Sequence, residues 1–210
     1  MNKNKLLWKK SKKIILRGNS LFSKNPENYA KDWPAYFDKA KGCYIWTIDN
    51  KKFTDFSYMG IGTNILGYSN SIVDNHVKKI ITKGTMSTLN CVEEVSLSQK
   101  LIKMHKWSSM CKFTRTGAEA SAVAIRIGRI YSKKNKIAIC GYHGWHDWYL
   151  STNLKDDKNL NDFLLPGLEP KGVPKSLKNS TYTFLYNRID QFEKLIKNNS
   201  DIGVIFMEVC

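Results

Sequence analysis

The run FTRTGAEASAVAIRIGRIY at residues 113–131 holds the residues whose order best suits chemistry. Thr116, Gly117 and Ala118 stand where an apolar stretch gives way to an amphipathic one. Thr116 and Glu119 have the spacing of a capping box, in which a hydroxyl and a carboxylate satisfy the free amides of a helix's first turn. Gly117 lets a ligand approach the backbone, and the remaining amides with the helix dipole suit a phosphate or another oxyanion. A plain cap explains the pattern, and so does a cap that doubles as a phosphate seat. Spacing alone leaves both open. Val123, Ile127 and Ile130 recur at helical spacing and are expected to form the buried stripe.

A second cluster, GYHGWHDWY at 141–149, directly follows the apolar run KIAIC at 136–140. Ligands of open α/β sheets gather at the carboxyl ends of strands, so this loop and the TGAE turn are expected to share a crevice. Tyr142 offers a ring that can stack on a planar ligand. His143, His146 and Asp147 are ligand types, but their spacing in a Gly- and Trp-containing loop argues weakly for a metal. Packing accounts for Trp145 and Trp148. The run GIGTNILG at 60–67 imitates a dinucleotide fingerprint, yet its third glycine comes too late and no βαβ unit surrounds it. Cys43, Cys91, Cys111, Cys140 and Cys210 are odd in number and never spaced as CxxC, which points to reduced thiols.

The elements that must position these residues follow from periodicity. Residues 1 to about 35 form an N-terminal arm. CYIWTID and KFTDFSY around Asp49-Asn50-Lys51 predict a β-hairpin, and a glycine-studded loop comes next. From Ser71 a helix is expected with Ile72, Val73, His76, Val77, Ile80 and Ile81 on one face, stopping at Gly84. A second is expected over about 92–105, with Val95, Leu97, Leu101, Ile102 and His105 forming a looser apolar face. MCKFT at 110–114 and KIAIC predict strands. Residues 151–180, with Pro166, Gly167, Pro170 and Gly172, read as a long excursion. A helix near 188–198 then precedes the strand-like GVIFMEV. The alternation implies an α/β layer with a mainly parallel sheet. The expected division is 1–70 for arm, hairpin and Gly-rich loop, and 71–210 for the α/β domain.

With 210 residues, 42% hydrophobic and 12% aromatic, the chain can build a core. It has no run of the ~20 apolar residues that a membrane-spanning helix needs, and lysines break the apolar N-terminal runs that a secretory signal would require. A cytoplasmic protein without a membrane partner is expected. The net charge of +16 invites a nucleic-acid reading. The lysines are spread along the chain, however, and no RNP-like, finger or helix-turn-helix pattern accompanies them.

The motifs together resemble one family. FTRTGAEASAVAIRIGR is similar to the phosphate-binding segment of class III aminotransferases, whose common form is close to F-x-N-S-G-T-E-A followed by a helix. KGCYIWTIDNKKFTDF, ILGYSN, CGYHGWHD and DIGVIFMEV strengthen the likeness, which runs from about residue 35 onward. Within the family it is most similar to the glutamate-1-semialdehyde aminomutase branch. The resemblance implies a fold-type I α/β protein that uses pyridoxal 5′-phosphate (PLP), acts on small amino donors and acceptors, and forms a homodimer at full length. It implies that Thr116, Gly117 and Ala118 hold the cofactor phosphate, that Tyr142 stacks on the pyridine ring, and that Glu208 is a carboxylate near the cofactor. Ala118 stands where the family often has Thr, Arg115 replaces the usual Asn, and Val209 replaces a Pro.

By the same resemblance, the Schiff-base lysine and the Asp that pairs with the pyridine nitrogen lie beyond the position matching Cys210, so no catalytic residue is expected within the chain. The expectation is therefore the N-terminal half of an aminotransferase, an incomplete large domain that is inactive alone. It would be a fragment, an interrupted frame or one half of a split enzyme. The rival expectation is a non-catalytic module that binds a phosphate ligand or nucleic acid.

Overall fold

The computed structural model describes residues 2–163 and 169–208. The chain divides into two compact units, residues 1–92 and 93–210.

In the first unit the arm contains a helix, α1 (Lys3–Ile14). Asn2 caps it, its side chain accepting from Lys5 N at 3.0 Å. The first turn has no acid of its own. Asp49 supplies one from the hairpin turn, accepting from Lys3 N at 2.7 Å and Asn4 N at 3.1 Å, a favourable charge at the positive end of the helix dipole. The inward face is polar: Asn4 and Ser11 are buried and bond the backbone amide and the hydroxyl of Tyr36. Strands β1 (Phe37–Lys41), β2 (Tyr44–Thr47) and β3 (Lys52–Thr54) form an antiparallel sheet in sequential order. The expected hairpin is β2–β3, with Asn50 in the left-handed conformation that its turn requires. Asp55, just past β3, accepts from Tyr68 Oη at 2.6 Å and pins the loop that leads to α2 (Ser71–Ile81). Asn70 caps α2.

Helix α3 (Val92–Met104) leads into the second unit. Both expected helices form, but neither α2 nor α3 buries a residue, so their apolar faces stay exposed. The strand expected at 110–114 is absent: the segment belongs to neither sheet. An apolar run becomes a strand only when a neighbour offers a ladder, and here none does.

Helix α4 (Gly117–Ser132) leads to β4 (Lys136–Cys140), the central strand of a parallel sheet ordered β5–β4–β6. Its neighbours are β5 (Thr181–Thr183) and β6 (Ile202–Met207). Short α5 (Asp147–Leu150) runs into a 3-10 turn at Ser151–Leu154, and α6 (Ile189–Asn198) connects β5 to β6. Ile137 and Ile139 face one side, packing with Ile125, Trp148, Tyr149, Leu160 and Val173. Ala138 and Cys140 face the other, with Phe184, Ile202 and the apolar edge of α6. Leu160 and Val173 belong to the 151–180 excursion, which therefore contributes to the core; Pro166 and Gly167 lie outside the described residues.

The expected stripe of α4 is corrected. Ile127 and Ile130 are 58% and 72% exposed, whereas Ile125 is only 1% exposed. The helix meets the sheet along its smallest residues: a methyl placed on Gly128 would lie 2.8 Å from Val204 Cγ2. Close backbone approach at Gly128 together with the buried Ile125 defines the inward face. The hydrophobic spacing of Val123, Ile127 and Ile130 could not reveal it.

Candidate functional site

Helix α4 runs against the direction of the strands. Its last turn meets the start of β6, where a methyl on Gly203 would strike the Ser132 hydroxyl and the Lys134 side chain. Its first turn lies at the carboxyl edge of the sheet, where a methyl on Gly144 would lie 2.7 Å from Ala118 Cβ. The TGAE turn and the loop after β4 thus meet where α/β sheets bind ligands.

The capping box is formed. Glu119 N donates to Thr116 Oγ1 at 3.2 Å, and the Glu119 carboxylate accepts from Thr116 N at 3.1 Å and Arg115 N at 2.9 Å. Ala120 N donates to Thr116 O. Of the first turn's amides, those of Gly117 and Ala118 have no hydrogen-bond partner among the described residues. Because Thr116 Oγ1 acts as acceptor, its own proton is available to a ligand. Open space surrounds Gly117 where a side chain would stand. Two free amides, one hydroxyl proton and the positive end of a 16-residue helix make a seat for an anion.

The loop Gly141–Gly144 supplies a flat ring beside it. Tyr142 is 42% exposed and meets buried Tyr149 edge-on, with centroids 6.0 Å apart. Tyr149 Oη donates to Gly141 O at 3.0 Å. Burial pushes the Tyr149 phenol up, helped by the nearby Tyr142 and Glu208, so it remains a donor at neutral pH. His143, 8% exposed, lies 2.9 Å through Nε2 from Cys140 O. A carbonyl only accepts, so Nε2 carries the proton. Burial draws His143 below the ordinary imidazole range, against the Cys140 carbonyl, the Glu208 charge and the Phe206 carbonyl.

Glu208 follows β6. Its amide donates to Cys140 O at 3.0 Å, and its carboxylate lies over Gly141, whose added methyl would stand 2.7 Å from Oε2. All five expected residues, Thr116, Gly117, Ala118, Tyr142 and Glu208, therefore belong to segments that converge at one edge of the sheet. Val209 and Cys210 lie outside the described residues. Sequence reasoning missed Gly141, Gly144 and Tyr149. The signal was present as two glycines three apart just after a buried strand, since glycine there marks a left-handed turn or a close approach; both have positive φ, +99° and +101°. Among the described residues, no three His, Cys, Asp or Glu side chains gather as a metal site.

At its carboxyl edge, then, the parallel α/β sheet presents open helix amides and an exposed tyrosine ring. A profile of the class-III aminotransferases matches residues 27–206, and the chain belongs to that family. It is 32% identical over 208 residues to glutamate-1-semialdehyde 2,1-aminomutase of Nitrosopumilus maritimus, covering 98% of this chain and 46% of that protein. It is 29% identical over 207 residues to 3-aminobutyryl-CoA aminotransferase of Cloacimonas acidaminovorans, covering 97% and 45%. A solved transaminase with PLP bound superposes at TM-score 0.82 and 20% identity, over 97% of this chain and 46% of that one, a likeness of fold. The chain spans just under half the length of these relatives.

Proposed function

We propose that the chain forms the N-terminal part of a PLP-dependent aminotransferase or aminomutase, which moves an amino group to or within an aldehyde or keto substrate. The observation that carries this reading is the convergence of two free helix amides, an exposed tyrosine ring and a carboxylate at one sheet edge. The residues fit the cofactor: the space above Gly117 admits an anion where any side chain would intrude. Gly117 N, Ala118 N and the Thr116 hydroxyl hold the phosphate, the Tyr142 ring covers one face of the pyridine, and Glu208 stands near it. PLP, when bound, supplies an electron sink for the carbon that carries the amino group. The chain's own residues bind and orient it, and the buried Tyr149 and His143 keep water from the underside of the loop.

In this reading residues 1–70 form the arm and entrance portion, and residues 71–210 belong to the cofactor-binding domain. The enzyme works as a cytoplasmic homodimer on small amino donors and acceptors; the thiols of Cys43, Cys91 and Cys111 fit a reducing compartment. The test is titration of the chain with PLP, followed by protein fluorescence and thermal denaturation. Binding that raises the melting temperature, and that Gly117→Asp abolishes, is the expected result. A folded chain indifferent to PLP refutes the reading.

A further inference from the structure

One backbone atom serves both segments that flank the ring platform. The Cys140 carbonyl, at the end of β4, accepts from Glu208 N at 3.0 Å and from His143 Nε2 at 2.9 Å. The first bond holds the strand end that carries Glu208. The second closes the loop that carries Tyr142. His143 is buried, and its ring is wedged edge-on between Phe206 at 4.5 Å and Tyr149 at 6.0 Å. The ring so held donates from Nε2 to Cys140 O, with the Phe206 carbonyl also close by. The next carbonyl, Gly141 O, is taken by Tyr149 Oη. On the outer side Gly144 abuts Ala118. The tetrapeptide Gly141–Gly144 is thus held at each end, and the one side chain it turns toward solvent is Tyr142.

We propose that His143 is the positioning residue of the ring platform: its Nε2–H bond to the Cys140 carbonyl fixes the Tyr142 ring relative to Glu208 and to the amides of Gly117 and Ala118. His143 is buried and its Nε2 is committed to the Cys140 carbonyl, so the residue acts through Tyr142 and not on a ligand. Without the bond, two glycines with positive φ on either side leave the loop free to sample many conformations. A stacking ring loses binding strength when its own ordering has to be supplied by the ligand. The inference rests on the PLP reading for its ligand, but not for its geometry.

The donor can be moved or removed without changing bulk greatly. His143→Gln places an amide N–H near the position of Nε2, His143→Asn places one nearer Nδ1, and His143→Phe keeps a ring but no donor. Two readouts are taken on the full chain: hydrogen exchange of the amides at 142–145, and PLP affinity by fluorescence titration. With wild type and H143Q the segment stays protected and affinity agrees within about twofold; H143N and H143F lose protection and bind PLP about five- to tenfold more weakly, the worth of one net hydrogen bond. Equal protection in wild type, H143Q and H143F overturns the proposal, as does undiminished affinity in H143F. A purely structural role would lower the melting temperature in all three variants without this split between Gln and Phe. If wild type binds no PLP while the exchange pattern divides as expected, the pinning stands and the PLP reading falls.

Discussion

Replacing Gly144 by alanine probes the contact that joins the anion seat to the ring platform. Two costs arise. At φ +101° an L-residue is forced into the left-handed region, which costs about 1–2 kcal/mol. The added methyl would stand 2.7 Å from Ala118 Cβ and 3.3 Å from Ala118 Cα. Neither atom is the end of a flexible side chain, so the loop or the first turn of α4 must shift, and overpacking of that kind costs about 1–3 kcal/mol. Together the loss should be about 2–5 kcal/mol, a large share of the ~5–15 kcal/mol that holds a domain. Urea denaturation followed by tryptophan fluorescence should show a midpoint lowered by about 1–2 M, and PLP affinity should fall in whatever remains folded. The control is Gly117→Ala, where open space and an ordinary φ await the methyl. It should leave the chain as stable as wild type or up to about 1 kcal/mol more so, yet weaken PLP binding, because its methyl occupies the seat. A Gly144→Ala chain as stable as wild type would falsify the packing described between loop and helix.

Three further outcomes are expected. Thr116→Ala removes the acceptor of Glu119 N and should cost about 1 kcal/mol by chemical denaturation, while Thr116→Ser should restore it. Tyr142→Ala should cost only about 0.5–1.5 kcal/mol of stability, the worth of the edge-on contact with Tyr149, but should lower PLP affinity at least several-fold by titration. Tyr68→Phe removes the bond to Asp55 and should cost about 1–2 kcal/mol at pH 7. Burial alone would raise the Asp55 carboxyl; hydrogen bonds from Ser57 and Tyr68 outweigh it and hold it below its ordinary value. Burial and the Asp55 bond push the Tyr68 phenol up to about 12. The Asp55 contribution is present above the unfolded carboxyl value near ~4 and is lost as pH falls through the folded one. The Tyr68 contribution is present below ~10 and is lost as pH rises through the folded value. Equal stability of wild type and Tyr68→Phe throughout denaturation curves between those limits would refute this pairing.

How much was legible in the sequence depends on what each element answers to. The capping box of Thr116 and Glu119, the β2–β3 hairpin and the apolar runs of β4 and β6 are local patterns, and all are formed. The strand expected at 110–114 failed because pairing depends on a neighbour, which local composition does not encode. The same holds for β5, only three residues long, which exists because β4 offers it a ladder. Helix α1 hid in the arm because its inward face is polar, with Asn4 and Ser11 inside and Leu6, Leu7 and Ile14 exposed, the reverse of the usual signal. For the site, the seat and the ring were readable as motifs. Their anchoring was not, since it runs through one shared carbonyl, Cys140 O, and through glycines that announce proximity without naming the neighbour.

Among the contacts that hold helix α4 are two glycine approaches, Gly144 against Ala118 near one end and Gly128 against Val204 further along. Ten residues of α-helix separate Ala118 from Gly128, a span of about 15 Å. A rod supported at two such points has a defined tilt. A displacement of ~1 Å at either support rotates it by ~4° over that span. A substitution at Gly128, deep along the helix and far from any ligand, would therefore re-aim the amides of Gly117 and Ala118 in the manner of a lever. The aim of the anion seat is thus set in part by a contact far from the residues that line it.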